Sequence, residues 1–289
     1  MGKDPNLSLS QLKKRPDLVL WWLYARLTAK RRALPDFIIA GTAKGGTTSL
    51  FQYLSDHPRI FPPLRKEIKY FDCNYFMGPS WYKAHFPLNR KLKKYNGITG
   101  EASPNYLGHP TAMQRIAMAL PEVKIIIILR NPVDRAFSHY HLSAKVGEED
   151  LTFEEAINIE TTRLAGEAEK IAADYYYPQA TYIKHSYLER GKYIEQIPVV
   201  LKLFKKEKLL FLRSEDFYDD PGKIYRQVLD FLNLPLWEPK QYKVFKQGTY
   251  KEQMTESLRN QLVEFFRPYN QRLYRSEERR VGKECRSRW

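Results

Sequence analysis

The chain has 289 residues, 43% of them hydrophobic, enough to bury a substantial core in one α/β domain or at most two. Its net charge of +15 favours anionic partners (nucleic acid, acidic lipid, acidic glycans or phosphorylated cofactors) without choosing among them. Two cysteines, Cys73 and Cys285, are too few for a disulfide scaffold and lack zinc spacing, and no apolar run reaches the ~20 residues of a membrane span. The cysteines are expected as free thiols in a reducing compartment. No signal peptide is expected, so the expected location is cytoplasmic, with the Golgi lumen as the alternative if an anchor preceded residue 1.

Residues 1–34 carry eight Lys or Arg against two Asp, and "LVLWWLYARL" at 18–27 predicts an amphipathic or packed helix. They read as a basic helical extension, with peripheral membrane contact as an expectation. "PDFIIAG" is a short β-rich run ending on a glycine loop. "TTSLFQYLSDHP" then sets Leu50, Tyr53 and Leu54 on one helical face, and Pro58 limits that helix. Residues 62–110 predict loops and short helices, with "GITGEASPNYL" as a second strand edge and turn. Trp81 and Tyr82, in this stretch, read as sugar-stacking or core aromatics. Met113, Ile116, Ala117 and Leu120 predict a short helix.

"VKIIIIL" has the continuous apolar character of a central parallel strand. Asn131-Pro132 marks the turn after it, and Val133, Phe137 and Tyr140 recur at helical spacing. Thr152 and Glu155 form a capping box. Helices are predicted over 182–193 and 197–204, and a strand in "EKLLFLRSEDF". "DDPGKIYRQVLDFLNL" predicts a helix with an Asp cap and Pro at its first position. A last helix starts at about Thr255, with Leu258, Leu262 and Phe265 on one side. The alternation predicts one α/β domain over residues 35–275: a central, mostly parallel sheet flanked by helices, then a basic tail at 276–289.

"GTAKGGTTS" at 41–49 carries the chemistry. Gly41, Gly46 and Thr48 fit the phosphate-loop pattern G-x-x-x-x-G-K-[ST], but Thr47 stands at the lysine position and Lys44 comes three residues early. A strand before and a helix after suit a phosphate cradle, where the N–H groups of residues 45–48 and the helix N-terminus favour an anion. Three readings stay open: a degenerate magnesium–nucleotide or kinase site, a chance glycine turn, or a loop for another phosphorylated ligand. No pair of acids closes an apolar strand as a magnesium site requires. "VKIIIILR" ends instead on Arg130, at the C-terminal edge of the sheet beside the cradle, and Ser138 follows two helical turns later. Together they suit a second phosphate. Glu67 in "KEIKYFD" is a general-base candidate for a metal-free transfer, with His139 and His141, at i and i+2 on one helix, as alternatives. No metal site and no G-x-S-x-G elbow is apparent.

"PDFIIAGTAKGGTTSLFQYLSDHPRI", "KEIKYFD", "GEASPNYL" and "LRNPVDRAFSHY", in this order, resemble successive signatures of the sulfotransferases that use 3'-phosphoadenosine-5'-phosphosulfate (PAPS). The resemblance covers roughly residues 35–275 and is closest to the heparan-sulfate and carbohydrate branch. It implies a P-loop-like sulfotransferase fold and PAPS as donor, with adenosine 3',5'-bisphosphate as product. Lys44 then resembles the lysine that touches the 5'-phosphate and bridging oxygen. Gly45, Gly46, Thr47, Thr48 and Ser49 resemble the 5'-phosphate loop, Arg130 and Ser138 the 3'-phosphate pair, and Glu67 the catalytic glutamate. Lys69 and Asp72 match acceptor-supporting positions, and Lys246, Gly248, Thr249 and Tyr250 a loop that closes over the nucleotide. One departure stands out: Ala102 replaces the lysine that some glycosaminoglycan enzymes carry in this "GEASP" segment. The implied partner is an acceptor hydroxyl, or an amine, on a carbohydrate, and no nucleic acid is expected. The alternatives are a small metabolite or carrier-bound acyl hydroxyl as acceptor, or a non-catalytic polyanion-binding protein.

Overall fold

The computed structural model describes residues 23–243, 245 and 253–277. The expectations for Cys285, for Lys246, Gly248, Thr249 and Tyr250, and for most of the two basic ends lie outside the described residues.

The continuous apolar runs become the two central strands. Strand β1 (Phe37–Gly41) and strand β3 (Lys124–Leu129) lie between β2 (Gly100–Ala102) and β4 (Leu209–Arg213), in the order β2-β1-β3-β4. All three pairings are parallel. Side chains alternate between the two faces of the sheet with period two, so each central strand feeds both cores. Ile38, Ala40, Ile125, Ile127 and Leu129 pack on one face with Met113, Ile116, Ile197 and Val200. Phe37, Ile39, Ile126 and Ile128 pack on the other with Leu50, Leu54, Phe217, Val228 and Leu229. Both faces are covered, which is why neither strand alternates with polar residues.

Helix α1 (Thr47–Asp56) follows β1. The short helices α2 (Pro79–Ala84) and α3 (Asn89–Tyr95) precede β2, and α4 (Ala112–Ala119) leads into β3. Trp81 and Tyr82, on α2, are buried in the core. Helix α5 (Pro132–Lys145) opens as the sequence predicts: the Asn131 side chain accepts from the amides of Val133 and Asp134, and Pro132 stands where no amide is needed. Four short helices follow: α6 (Phe153–Asn158), α7 (Glu160–Arg163), α8 (Glu167–Ala173) and α9 (Ala180–His185). The first carries the expected Thr152–Glu155 capping box. Helix α10 (Tyr193–Leu203) covers the sheet, and after β4 come α11 (Ser214–Asp219), α12 (Pro221–Leu232) and α13 (Glu256–Glu277). Asp220 caps α12 through the Lys223 amide.

Two local expectations are corrected. The helix predicted over 182–193 breaks after His185 into a turn at Glu189–Gly191. The buried carboxylate of Glu160 accepts from the amides of Leu188 and Glu189 at 2.7–2.9 Å, replacing the helical partners those amides would otherwise need. On α13, Phe266 is the buried neighbour of Leu262, while Phe265 is partly exposed. The spacing i, i+4 wins over i, i+3 because Phe266 fits the cluster around Val133, Ala136 and Tyr187.

Candidate active site

The cradle sits where β1 ends, and its two internal glycines answer different demands. The Thr42 amide donates to Ile128 O at 2.8 Å and the Gly45 amide to Thr42 O at 2.9 Å, so the loop stays against β3. A Cβ on Gly45 would stand 2.7 Å from Ile128 O and 3.0 Å from Thr42 O, which no side chain tolerates. Gly46 has φ +100° and forms the N-cap of α1 without a side-chain cap. The first amides of α1, from Thr47, Thr48 and Ser49, are therefore left to serve an anion at the positive end of the helix. Lys44 itself adopts φ 75°, an uncommon conformation for a residue with a Cβ.

Arg130, after β3, reaches back so that its Nη1 donates to Lys44 O at 2.9 Å. The turn carrying it is fastened twice: Tyr193 OH donates to Arg130 O at 2.8 Å, and the Asn131 amide to Glu215 Oε1 at 2.8 Å. Ser138 lies buried on α5. Its neighbour His139 is buried against Tyr187, where desolvation and the charge of Arg135 hold the imidazole well below its ordinary pKa. His141 packs edge-on to Phe137 at 4.3 Å. Ser49 has a further role. Its hydroxyl accepts from the Phe245 amide at 3.0 Å, and Tyr53 OH donates to Lys243 O at 2.8 Å, tying the late segment to α1.

Glu67 is joined to the cradle through a residue that the sequence reading passed over. Lys66 Nζ donates to Glu67 Oε1 at 3.1 Å and to Thr48 Oγ1 at 3.0 Å. Lys69 Nζ stands 3.7 Å from Glu67 Oε2, so two ammonium groups flank the carboxylate. Glu67 remains about one-third exposed (32%), open to an incoming group. The signal for Lys66 was present in the K-E-x-K string, but nothing in that string says which lysine reaches Thr48. Asp72 is different. It is fully buried, its Oδ1 accepts from the Cys73 amide at 2.6 Å, and burial raises its pKa against the charges of Lys69 and Arg190. Its buried carboxyl therefore does not reach the open side of Glu67 as Lys69 does. Ala102 is a buried methyl packed among Phe37 and Ile39, so no cation stands at that position of β2.

Glu101, on β2, is wholly buried. Tyr82 OH donates to its Oε1 at 2.6 Å and Ser103 Oγ to its Oε2 at 2.8 Å, while the Lys69 amide donates to Ser103 Oγ at 3.2 Å. Desolvation raises its pKa to about 7, opposed by those hydroxyl donors. The folded state thus favours the protonated acid. Its stabilising contribution is complete below pH ~4.5 and is lost as the pH rises through about 7, a change on the order of 3 kcal/mol. Glu101→Gln keeps the shape and removes the titration. Urea unfolding of the variant and the parent between pH 5 and 8 should show their difference shifting towards the variant by one to a few kcal/mol. A constant difference across that range would show that Glu101 does not titrate there. Among the described residues, no three of His, Cys, Asp and Glu converge as a metal-binding group.

Residues 34–268 match the family described as "Sulfotransferase domain". The chain is similar to the membrane-associated sulfotransferase kil1 of Dictyostelium discoideum, 27% identical over an alignment covering 85% of this chain and 65% of that protein. It is also similar to the heparan sulfate glucosamine 3-O-sulfotransferase 3B1 of Mus musculus, 27% identical, covering 88% of this chain and 66% of that protein. The chain thus spans just under two thirds of the length of both. A solved sulfotransferase from Alicyclobacillus acidocaldarius superimposes with a TM-score of 0.61 at 33% identity, over 83% of this chain and 94% of that one. The chain belongs to the sulfotransferase family. It is related distantly to the heparan-sulfate enzymes.

Proposed function

We propose that this protein transfers a sulfuryl group from PAPS to a hydroxyl of a carbohydrate acceptor, with Glu67 as the general base. The observation that carries the reading is the Glu67–Lys66–Thr48 bridge, which keeps a solvent-reachable carboxylate one side chain away from an anion cradle. PAPS supplies an activated sulfuryl group on a phosphate leaving group. The amides and hydroxyls of Gly45 to Ser49 suit its 5'-phosphate, and Arg130 with Ser138 suits the 3'-phosphate. The uncapped N-terminus of α1 and the close passage allowed by Gly45 support that fit. Glu67 accepts the proton of the acceptor hydroxyl, and Lys44 with the loop amides stabilises charge growing on the departing phosphate oxygen. Positioning and fixed charge do most of the work, as in phosphoryl transfer.

The similarity to a heparan sulfate 3-O-sulfotransferase and the +15 charge support a carbohydrate acceptor, an acidic one in particular. Labelled sulfate donor offered with polysaccharides, oligosaccharides and small hydroxyl compounds should label a saccharide, without added magnesium. Labelling only of a small metabolite or an acyl-chain hydroxyl would remove the carbohydrate from the proposal and leave the transfer. Polyanion binding with no transfer to any acceptor would remove both.

A further inference from the structure

Residues 23–27 are helical and continue into a turn at Ala29–Arg31, and this segment packs with its small side chains inward. Ala25, Ala29 and Ala33 are buried, whereas Leu27 is 85% exposed and Leu23 52%. A helix lying on a protein core ordinarily buries its leucines, since apolar area removed from water is the main return on packing. Here the leucines face outward, and Arg26, Lys30 and Arg31 are exposed among them. Helix α3 lies close by in the fold: Arg32 Nη1 donates to Phe86 O at 2.6 Å and the Ala33 amide to Pro87 O at 2.9 Å, just before α3 begins. This helix buries none of its residues. Between the two segments runs a groove of about 730 Å³, whose charged lining groups include Arg32, Arg90, Lys91 and Lys94 and no carboxylate. The sequence has no Asp or Glu between Asp17 and Asp36, and none between Asp72 and Glu101.

We propose that this face docks on the surface of an anionic lipid bilayer. Leu23 and Leu27 enter the boundary between headgroups and acyl chains, and the cations of α3 and the groove meet the headgroup phosphates. Outward aliphatic side chains between lysines and arginines are the composition of an interfacial segment, and each basic group near an anionic surface adds to the attraction. A second copy of the chain is a poor occupant, because a twofold contact through this face would set cations against cations with no acid between them. The segment enters β1 at its first residue, whereas the cradle follows its last. The segment carrying Leu23 and Leu27 therefore leads into the end of β1 opposite the cradle, roughly 16 Å of strand away.

Flotation of the full chain with phosphatidylcholine vesicles, with and without phosphatidylserine, tests the proposal without depending on any transferase activity. Retention is expected only on the serine-containing vesicles, and should fall steeply in high salt. The pair Leu23→Ser/Leu27→Ser and the pair Lys91→Glu/Lys94→Glu should each lower partitioning about tenfold or more. Arg267→Glu/Arg272→Glu, with the same change in net charge on α13, should lower it less than about threefold. Circular dichroism and bisphosphate binding check that each variant folds, and the lipid and salt dependence of the parent stands even if one does not. Equal retention on neutral vesicles, no retention on either, or equal loss in the α13 control would overturn the proposal. So would a concentration-dependent dimer that Leu27→Ser dissolves, or a loss on α3 reversal confined to a soluble polyanion such as heparin.

Discussion

Glu67→Gln is expected to lower kcat by about 10²–10⁴ while leaving the affinity for adenosine 3',5'-bisphosphate within about twofold. The isostere matters because Lys66 serves two partners, Glu67 Oε1 and Thr48 Oγ1. An alanine at 67 would release Lys66 and disturb the cradle, mixing a binding defect with a chemical one. Glutamine still offers Lys66 a carbonyl oxygen but takes no proton from an acceptor hydroxyl. Single-turnover rates combined with calorimetric titration of the bisphosphate separate the two effects. Equal losses in rate and in nucleotide affinity would make Glu67 a support of the cradle, and unchanged turnover would move the base elsewhere.

Lys44→Gly should lower kcat by about 10²–10³ with little cost in stability. Lys44 holds φ 75°, a conformation that glycine adopts freely, so this substitution removes the ammonium without adding backbone strain. The backbone contact survives, because Arg130 donates to the Lys44 carbonyl rather than to its side chain. Thermal melts and turnover of Lys44→Gly and Lys44→Ala, side by side, isolate the charge: both should lose the rate, and the alanine variant alone should retain the strained φ. Turnover within threefold of the parent would exclude Lys44 from stabilising the departing phosphate.

The glycine loop illustrates what was legible and what was not. The order strand, loop, helix could be read from "FIIAG" and from Leu50, Tyr53 and Leu54, since periodicity reports which face of its own element a residue occupies. Caps could be read for the same reason: Asn131, Thr152 and Asp220 act on amides two or three residues away. The misplaced boundary at 182–193 depended on Glu160, more than 25 residues earlier, and no local pattern announces such a partner. Gly45 could be assigned to a phosphate loop, yet its closest constraint is the Ile128 carbonyl on a strand more than 80 residues later.

By itself, then, the sequence determined the elements apart from the break within 182–193, the family resemblance and the identity of the charged groups: Lys44, Glu67 and Arg130. Only the tertiary structure decided their company. It made Lys66 the link from Glu67 to Thr48, sent Arg130 back to Lys44 O, buried Asp72 and turned Leu23 and Leu27 outward. The physical reason is that spacing along the chain fixes directions within one helix or strand. Contacts between elements instead follow from the strand order β2-β1-β3-β4, which brings the ends of β1 and β3 together although they are far apart in sequence.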